Sequence, residues 1–328
     1  MPPMTLDTSA ATMHTGTPPP TRRIRVGLGL GLGPMWTSRS EFAQCAEAVE
    51  DGGWDSLWLS EHLTGPTPAP LPALAFAAAI TSRIRLGTSV TVVPGRSPVE
   101  LAKTLWTAAE LSDGRLLPIF GLGTAEPAEH AAFNVERHER GPWLDDALPV
   151  IRELLRGNRV TARSRFFDLR DVCVTDGRPA PVRDLWMGGR ADSELRRVAL
   201  LADGWLASFA SPRQTRRSIE TIVDHARRAE RSFDLDHFGL LFPYARERRP
   251  DAITELLRTA YPAEDPDELC PVGVDALRRV LHDHTAAGVS KYILVPAERP
   301  GYWPSALESL RCDVVAATAQ SSILKLAS

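Results

Sequence analysis

Several short segments carry residue types that can do chemistry at the ends of apolar runs. Ser60-Glu61-His62 sets a carboxylate beside an imidazole. An imidazole titrates near neutral pH, so His62 suits a general base or a donor to a substrate. A buried, satisfied histidine fits the same position. Glu61 can orient the mouth of a site or pair with an arginine. Glu126 follows the glycine-rich Gly121-Leu122-Gly123-Thr124 and suits a proton donor, or a solvated loop carboxylate. Gly188-Gly189-Arg190 precedes a helix that starts near Asp192. Glycines there let backbone amides approach an anion, the helix N-terminus adds positive potential, and Arg190 can add a charged fork. A tight turn with a solvated arginine reads equally well. Ser89-Val90-Thr91 stands within a third apolar run.

Other patterns point away from chemistry. Gly27, Gly29, Gly31 and Gly33 miss the dinucleotide fingerprint, because Leu32 and Pro34 fall where its last glycine belongs. Small residues packing at a barrel mouth explain them better. His282 and His284 are two apart, do not share a helix face, and read as surface residues. The four cysteines, Cys45, Cys173, Cys270 and Cys312, form no CxxC pair, which fits buried thiols in a reducing compartment. A net charge of −3 gives no footprint for nucleic acid. No apolar run is long enough for a membrane span. Residues 1–22 are rich in Pro, Thr and Ser and read as a disordered tail.

These residues need a scaffold, and the pattern of elements supplies one. Apolar runs begin near Ile24, Ser56, Ile84, Leu116, Leu185, Gly204, Phe238 and Lys291. Amphipathic helical stretches separate them; Phe42, Cys45, Ala46 and Val49 show the spacing in the first. Ser97-Pro98 is a good helix start. About eight such units predict an α/β fold, a single (β/α)8 TIM barrel over 23–328. Asn158 to Asp184 is an irregular excursion between units four and five. In such barrels the site lies at the C-terminal ends of the strands. Every segment singled out above, the histidine pair apart, lies at or near such an end.

The segments GWDSLWLSEH, RIRLGTSVTVVPGRSPVELAKTLWTAAELSDGRL, GLGTAEPAEH, WMGGRADSELRRVALLADGWLAS and AAGVSKYILVPA, in this order, resemble the luciferase-like monooxygenase superfamily. Within it, GTSV and GTAE are most similar to members that use coenzyme F-420, a deazaflavin, such as the deazaflavin-dependent glucose-6-phosphate dehydrogenases. The resemblance implies a non-prolyl cis peptide at Ser89-Val90 that backs the middle ring of the flavin. It implies cofactor contacts at Glu61, Ser89, Val90, Thr91, Thr124, Ala125, Gly188, Gly189 and Arg190. His62 matches the proposed base, and Glu126 a proposed proton donor near the pyrimidine edge.

Departures from the pattern bear on the substrate. Glu61 stands where aspartate is usual, and Ala125 where the subgroup has glycine. The aromatic residue expected after His62 is absent, as is the lysine expected near Ser208 to Ser211, although Arg213 is close. A sugar phosphate is therefore a poor guess. Trp36, Phe209 and Phe242 suggest an apolar pocket for a less polar small molecule. The resemblance thus predicts a cytoplasmic, homodimeric oxidoreductase moving hydride to or from F-420. An FMN-dependent monooxygenase fed reduced flavin by a separate reductase is the alternative, so a separate flavin or F-420 reductase is an expected partner. A barrel that binds a flavin or ligand without turnover is a third reading.

Overall fold

The computed structural model describes residues 22–31, 33, 35–124, 126–133, 135–182, 184–319 and 324–326. Residues 1–21 of the expected tail lie outside the described residues, and Arg22 opens the first strand. β1 (Arg22–Leu30) leads through α1 (Arg39–Asp51) to β2 (Ser56–Leu59), and α2 (Pro70–Ile80) leads to β3 (Arg85–Thr88) and β4 (Thr91–Val92). Then come α3 (Pro98–Leu111), β5 (Leu116–Leu117), β6 (Ile119–Gly121), α4 (Pro127–Ala132) and α5 (Arg137–Leu155). The middle of the chain holds β7 (Val160–Arg163), β8 (Asp168–Val172), β9 (Trp186–Gly188), α6 (Asp192–Leu201), β10 (Gly204–Ser208) and α7 (Pro212–Arg228). Last are β11 (Phe238–Tyr244), α8 (Asp251–Ala260), α9 (Pro266–Leu269), α10 (Gly273–Ala287), β12 (Lys291–Pro296), α11 (Trp303–Ala319) and β13 (Leu324–Leu326).

β3 and β4 are one strand position broken at Ser89-Val90, and β5 with β6 is another, broken at Pro118. Counted so, eight parallel positions pair in chain order and β12 pairs back onto β1, closing a (β/α)8 barrel. The stretch from Asn158 to Asp184 holds the antiparallel hairpin β7–β8, apart from the barrel sheet. β2, β11 and β12 are buried at every position, as parallel strands covered on both faces require. Helices add their own start signals. Ser97 caps α3 by accepting the Glu100 amide, with Pro98 next, as its sequence predicts.

The lower barrel interior is filled by indoles. Trp58 on β2 and Trp186 on β9 point inward, and glycines on the adjacent strands make room. A Cβ at Gly87 would lie 2.1 Å from Trp58, and one at Gly204 would lie 2.3 Å from Trp186. The glycines of β1 work the same way: a Cβ at Gly29 would meet Val295 at 2.7 Å and Ile293 at 2.8 Å. They are packing positions, along the barrel wall as well as at its mouth.

α8 and α9 have no counterpart in the pattern read from sequence. They follow β11 and carry their own small core of Ile253, Leu257, Leu269 and Cys270, which packs on Phe209, Tyr261 and Ala297. His284 corrects an expectation. It is fully buried, not at the surface, with Nδ1 against the Val280 carbonyl and Nε2 against the Ala210 carbonyl. Its helix packs that face on α7 and the loop after β10, which a two-residue spacing from His282 could not show.

Candidate functional site

The mouth is built around the break between β3 and β4. The Ser89–Val90 peptide is cis, as the resemblance implies. Val90 then projects into the barrel, between Gly121 of β6 and Gly188 of β9. A Cβ at Gly121 would stand 2.5 Å from Val90 Cγ2, and one at Gly188 would stand 3.1 Å from Val90 Cγ1. Both positions must be side-chain-free for Val90 to sit there. The result is a half-buried apolar shelf. The Ser60 and Ser89 hydroxyls lie beside it, 3.3 Å apart.

Glu61 holds this bulge in place. Its carboxylate accepts the Val92 amide and the Arg96 guanidinium, both at 2.7 Å, and is nearly buried. A buried carboxylate needs such partners. Glu61 is thereby committed to the strand behind the shelf. Thr91 is buried with an unpartnered hydroxyl, and its register with Phe120 puts it on the helix-facing side of the sheet.

His62 is half-buried on the loop after β2. That loop is tied to α4 by a residue the sequence did not single out. Glu129, only 2% exposed, accepts the Leu63 amide at 3.0 Å and the Thr64 amide and hydroxyl at 2.7 Å each. Burial pushes the Glu129 carboxyl up. The Thr64 hydroxyl, the two amides and the nearby His62 outweigh that and hold it below the ordinary carboxylate range. A carboxylate two residues into a short helix after a glycine-rich strand end was the available signal. Glu126, by contrast, is exposed at the start of α4, and its amide donates to the Thr124 hydroxyl at 3.2 Å. Ala125 lies outside the described residues.

Beneath Thr124 lies a second unforeseen group. Arg140 of α5 is 3% exposed and donates through Nη1 to the Thr124 carbonyl at 2.8 Å and the Leu122 carbonyl at 3.3 Å. Its plane lies over the Phe133 ring, 4.8 Å to the centroid. Its Nε and Nη2 have no hydrogen-bond partner among the described residues. Arg140 fixes the strand end from below.

A family model for luciferase-like monooxygenases matches residues 23–291. The chain belongs to that family. It is 31% identical over 202 residues to the F420-dependent glucose-6-phosphate dehydrogenase of Nakamurella multipartita, covering 58% of this chain and 57% of that protein. The chain thus spans a little over half the length of that curated relative. Among solved structures it resembles the monooxygenase RslO1 from Streptomyces bottropensis, with a TM-score of 0.75 at 18% identity over 89% of this chain and 99% of that one. It also resembles an F420-dependent secondary alcohol dehydrogenase in complex with an F420-acetone adduct, with a TM-score of 0.74 at 17% identity over 90% and 99% of the two chains. At those identities the likeness is one of fold.

In this luciferase-like chain the turn after β9 differs from the anion nest expected there. Gly189 has φ +145°, which a side chain rarely adopts. The amides of Arg190 and Ala191 are not free; both donate to the Glu194 carboxylate, at 2.8 and 2.9 Å. The helix start has supplied its own anion. The Arg190 guanidinium is exposed and lies over the Tyr261 ring, 4.6 Å from its centroid. Tyr261 in turn stacks on Phe209 with centroids 5.4 Å apart. Arg190, Tyr261 and Phe209 form one column at the mouth.

The three apolar residues separate. Phe209 follows β10 with a left-handed backbone, φ 47°, a strained conformation for a phenylalanine. Trp36 is half-buried on the loop after β1 and packs on Phe42 at 4.5 Å. Phe242 is a correction. It is 1% exposed, edge-on to Tyr292, whose hydroxyl reaches the Leu281 carbonyl of α10. Alternation along β11 turns Phe242 toward the helices, so it lines no pocket at the mouth.

Proposed function

We propose that the chain is an oxidoreductase that moves a hydride between coenzyme F-420 and a small, fairly apolar organic substrate. The observation that carries this reading is the Val90 shelf, seated between Gly121 and Gly188 at the barrel mouth. A half-buried apolar floor with a hydroxyl rim fits the face of a planar tricyclic ring. The deazaflavin supplies a two-electron acceptor or donor at carbon C5. The rest is the work of this chain. Val90 supports the ring. The Ser60 and Ser89 hydroxyls offer hydrogen bonds at its edge. Arg190 offers its guanidinium to the cofactor phosphate, because Glu194 already holds the turn amides. His62 takes or returns the proton that accompanies the hydride, and Glu126 is the second candidate for that task. Phe209, Tyr261 and Trp36 wall the substrate.

The likeness to RslO1 favours one second reading, an FMN-dependent monooxygenase fed reduced flavin by a separate reductase. A third, a barrel that holds flavin without turnover, ends with any observed turnover. On the main reading the chain works in the cytoplasm as a homodimer, beside an enzyme that reduces F-420.

Absorption titration of the full chain with F-420 and with FMN tests this. Tighter binding of F-420 is expected, and tighter binding of FMN overturns it. Arg190→Glu should weaken F-420 binding at least about tenfold, since it sets like charge beside a phosphate. Unchanged affinity in a folded variant removes Arg190 from the site.

A further inference from the structure

We propose that a second binding site, for a small planar organic anion, lies at the N-terminal end of the barrel, opposite the mouth. A cavity of about 210 Å³ opens there beneath the indoles of Trp58 and Trp186. That is about seven water molecules' share of liquid volume, room for a ring bearing one carboxylate.

The charges around it are unbalanced. Arg85 and Lys291 begin β3 and β12, Arg25 of β1 pairs with Lys291, and all three line the cavity. The inward packing of Gly27, Gly29 and Gly87 gives all three the same inward parity. Asp55 is the near counter-charge, and it is taken up by the buried Lys291. Asp184 faces His237, 4.0 Å away. Among the described residues the Arg25 guanidinium donates to the Asp236 carbonyl at 3.1 Å and the Ser290 hydroxyl at 3.5 Å, and the Asp55 carboxylate also lies within electrostatic reach. The Arg85 side chain has no hydrogen-bond or ion-pair partner among the described residues, while its backbone amide donates to the Asp55 carbonyl at 3.2 Å. The Arg85 fork thus remains available for a carboxylate, with the Arg25 guanidinium, held by neutral oxygens, beside it.

The roof selects for a flat molecule. Trp186, 9% exposed, presents the aromatic surface, with the His237 ring 5.3 Å from it, while Trp58 backs the cavity at 1% exposure with the Lys291 ammonium 5.5 Å from its ring. A ring can lie against Trp186 while its carboxylate meets Arg25 and Arg85. The barrel core separates this cavity from the shelf, so the site is independent of the reading given for the mouth.

Benzoate is the probe, with benzamide and inorganic phosphate beside it. Tryptophan fluorescence of the full chain reads binding, because Trp186 forms the roof and Trp58 backs it. Saturable quenching by benzoate is expected, with benzamide and phosphate each at least tenfold weaker. Saturating F-420 at the mouth should leave benzoate affinity unchanged. Arg85→Gln, on an exposed side chain, should weaken benzoate at least about tenfold by removing a charge-assisted hydrogen bond. Arg25→Gln is the second variant if the first does not fold. Equal binding of benzamide, equal binding of phosphate, competition with F-420, or unchanged affinity in the folded arginine variants would each overturn the proposal.

Discussion

The Glu129 carboxylate accepts both the amide and the hydroxyl of Thr64, at 2.7 Å each. Thr64 lies two residues after His62, so the position of the candidate base depends on a helix from a different βα unit. Two loops that touch the mouth are locked into one piece by one buried carboxylate.

Glu129→Gln should therefore lower turnover about ten- to a hundredfold while leaving cofactor affinity unchanged, through misplacement of His62. Losing charge-assisted hydrogen bonds should also cost about 1.5–3 kcal/mol of stability. Steady-state kinetics and urea melts read the two effects. Wild-type kcat in a variant that has lost stability would restrict Glu129 to a structural role.

His62→Ala removes the group itself. A positioned acid or base typically contributes about 100- to 10,000-fold, and a loss of that order is expected in turnover. Glu126→Gln should show a smaller loss, since Glu126 is exposed and its side chain makes no capping bond at the start of α4. Cofactor titrations of both variants should match the parent. If His62→Ala turns over normally, the proton is handled elsewhere.

The shelf makes a paired prediction. Gly121→Ala places a methyl group 2.5 Å from Val90 Cγ2 and should destabilise the protein by about 1–3 kcal/mol. Adding Val90→Ala should restore most of that, because the clashing atoms are gone. A double-mutant cycle by chemical denaturation measures the coupling, expected between about 0.5 and 3 kcal/mol. F-420 affinity should stay low in the double variant, since the floor has been lowered. Additive effects would show that the two residues do not meet.

Glu50 sets part of the acid limit. It joins the end of α1 to the start of β3 by accepting the amides of Ser82, Arg83 and Ile84 and the Ser82 hydroxyl. Burial raises its carboxyl, but these donors outweigh it and bring the pKa down to about 2. A lowered folded value means the stability is present above the ordinary glutamate range and is lost as pH falls toward about 2. The contribution at neutral pH is of order 3 kcal/mol. Glu50→Gln should cost up to about that much at pH 7 and much less near pH 2. Urea melts at both pH values decide it; an equal loss at each would remove Glu50 from the titration.

The amino-acid sequence by itself determined the barrel. Each βα unit announces itself through local spacing: an apolar run of strand length, a helix face at i, i+3, i+4, and caps such as Ser97-Pro98. The count of about eight units pointed to a closed barrel, and the pairing of β12 with β1 is what closes it. The candidate site was legible as strand ends, which the same periodicity locates; His62 and Arg190 were singled out that way, and Val90 as a cofactor contact through the family resemblance. Tertiary structure alone decided what each of those residues touches. Glu61 turned to Val92 and Arg96, Glu194 took the amides of Arg190 and Ala191, and Phe242 faced the helices, one position out of phase with the interior. Glu129 and Arg140 escaped notice because their partners, Thr64 and Thr124, are fixed by how separate loops pack. Lone carboxylates and arginines carry no periodicity. Their meaning comes only from the burial and the backbone groups that the closed barrel brings to them.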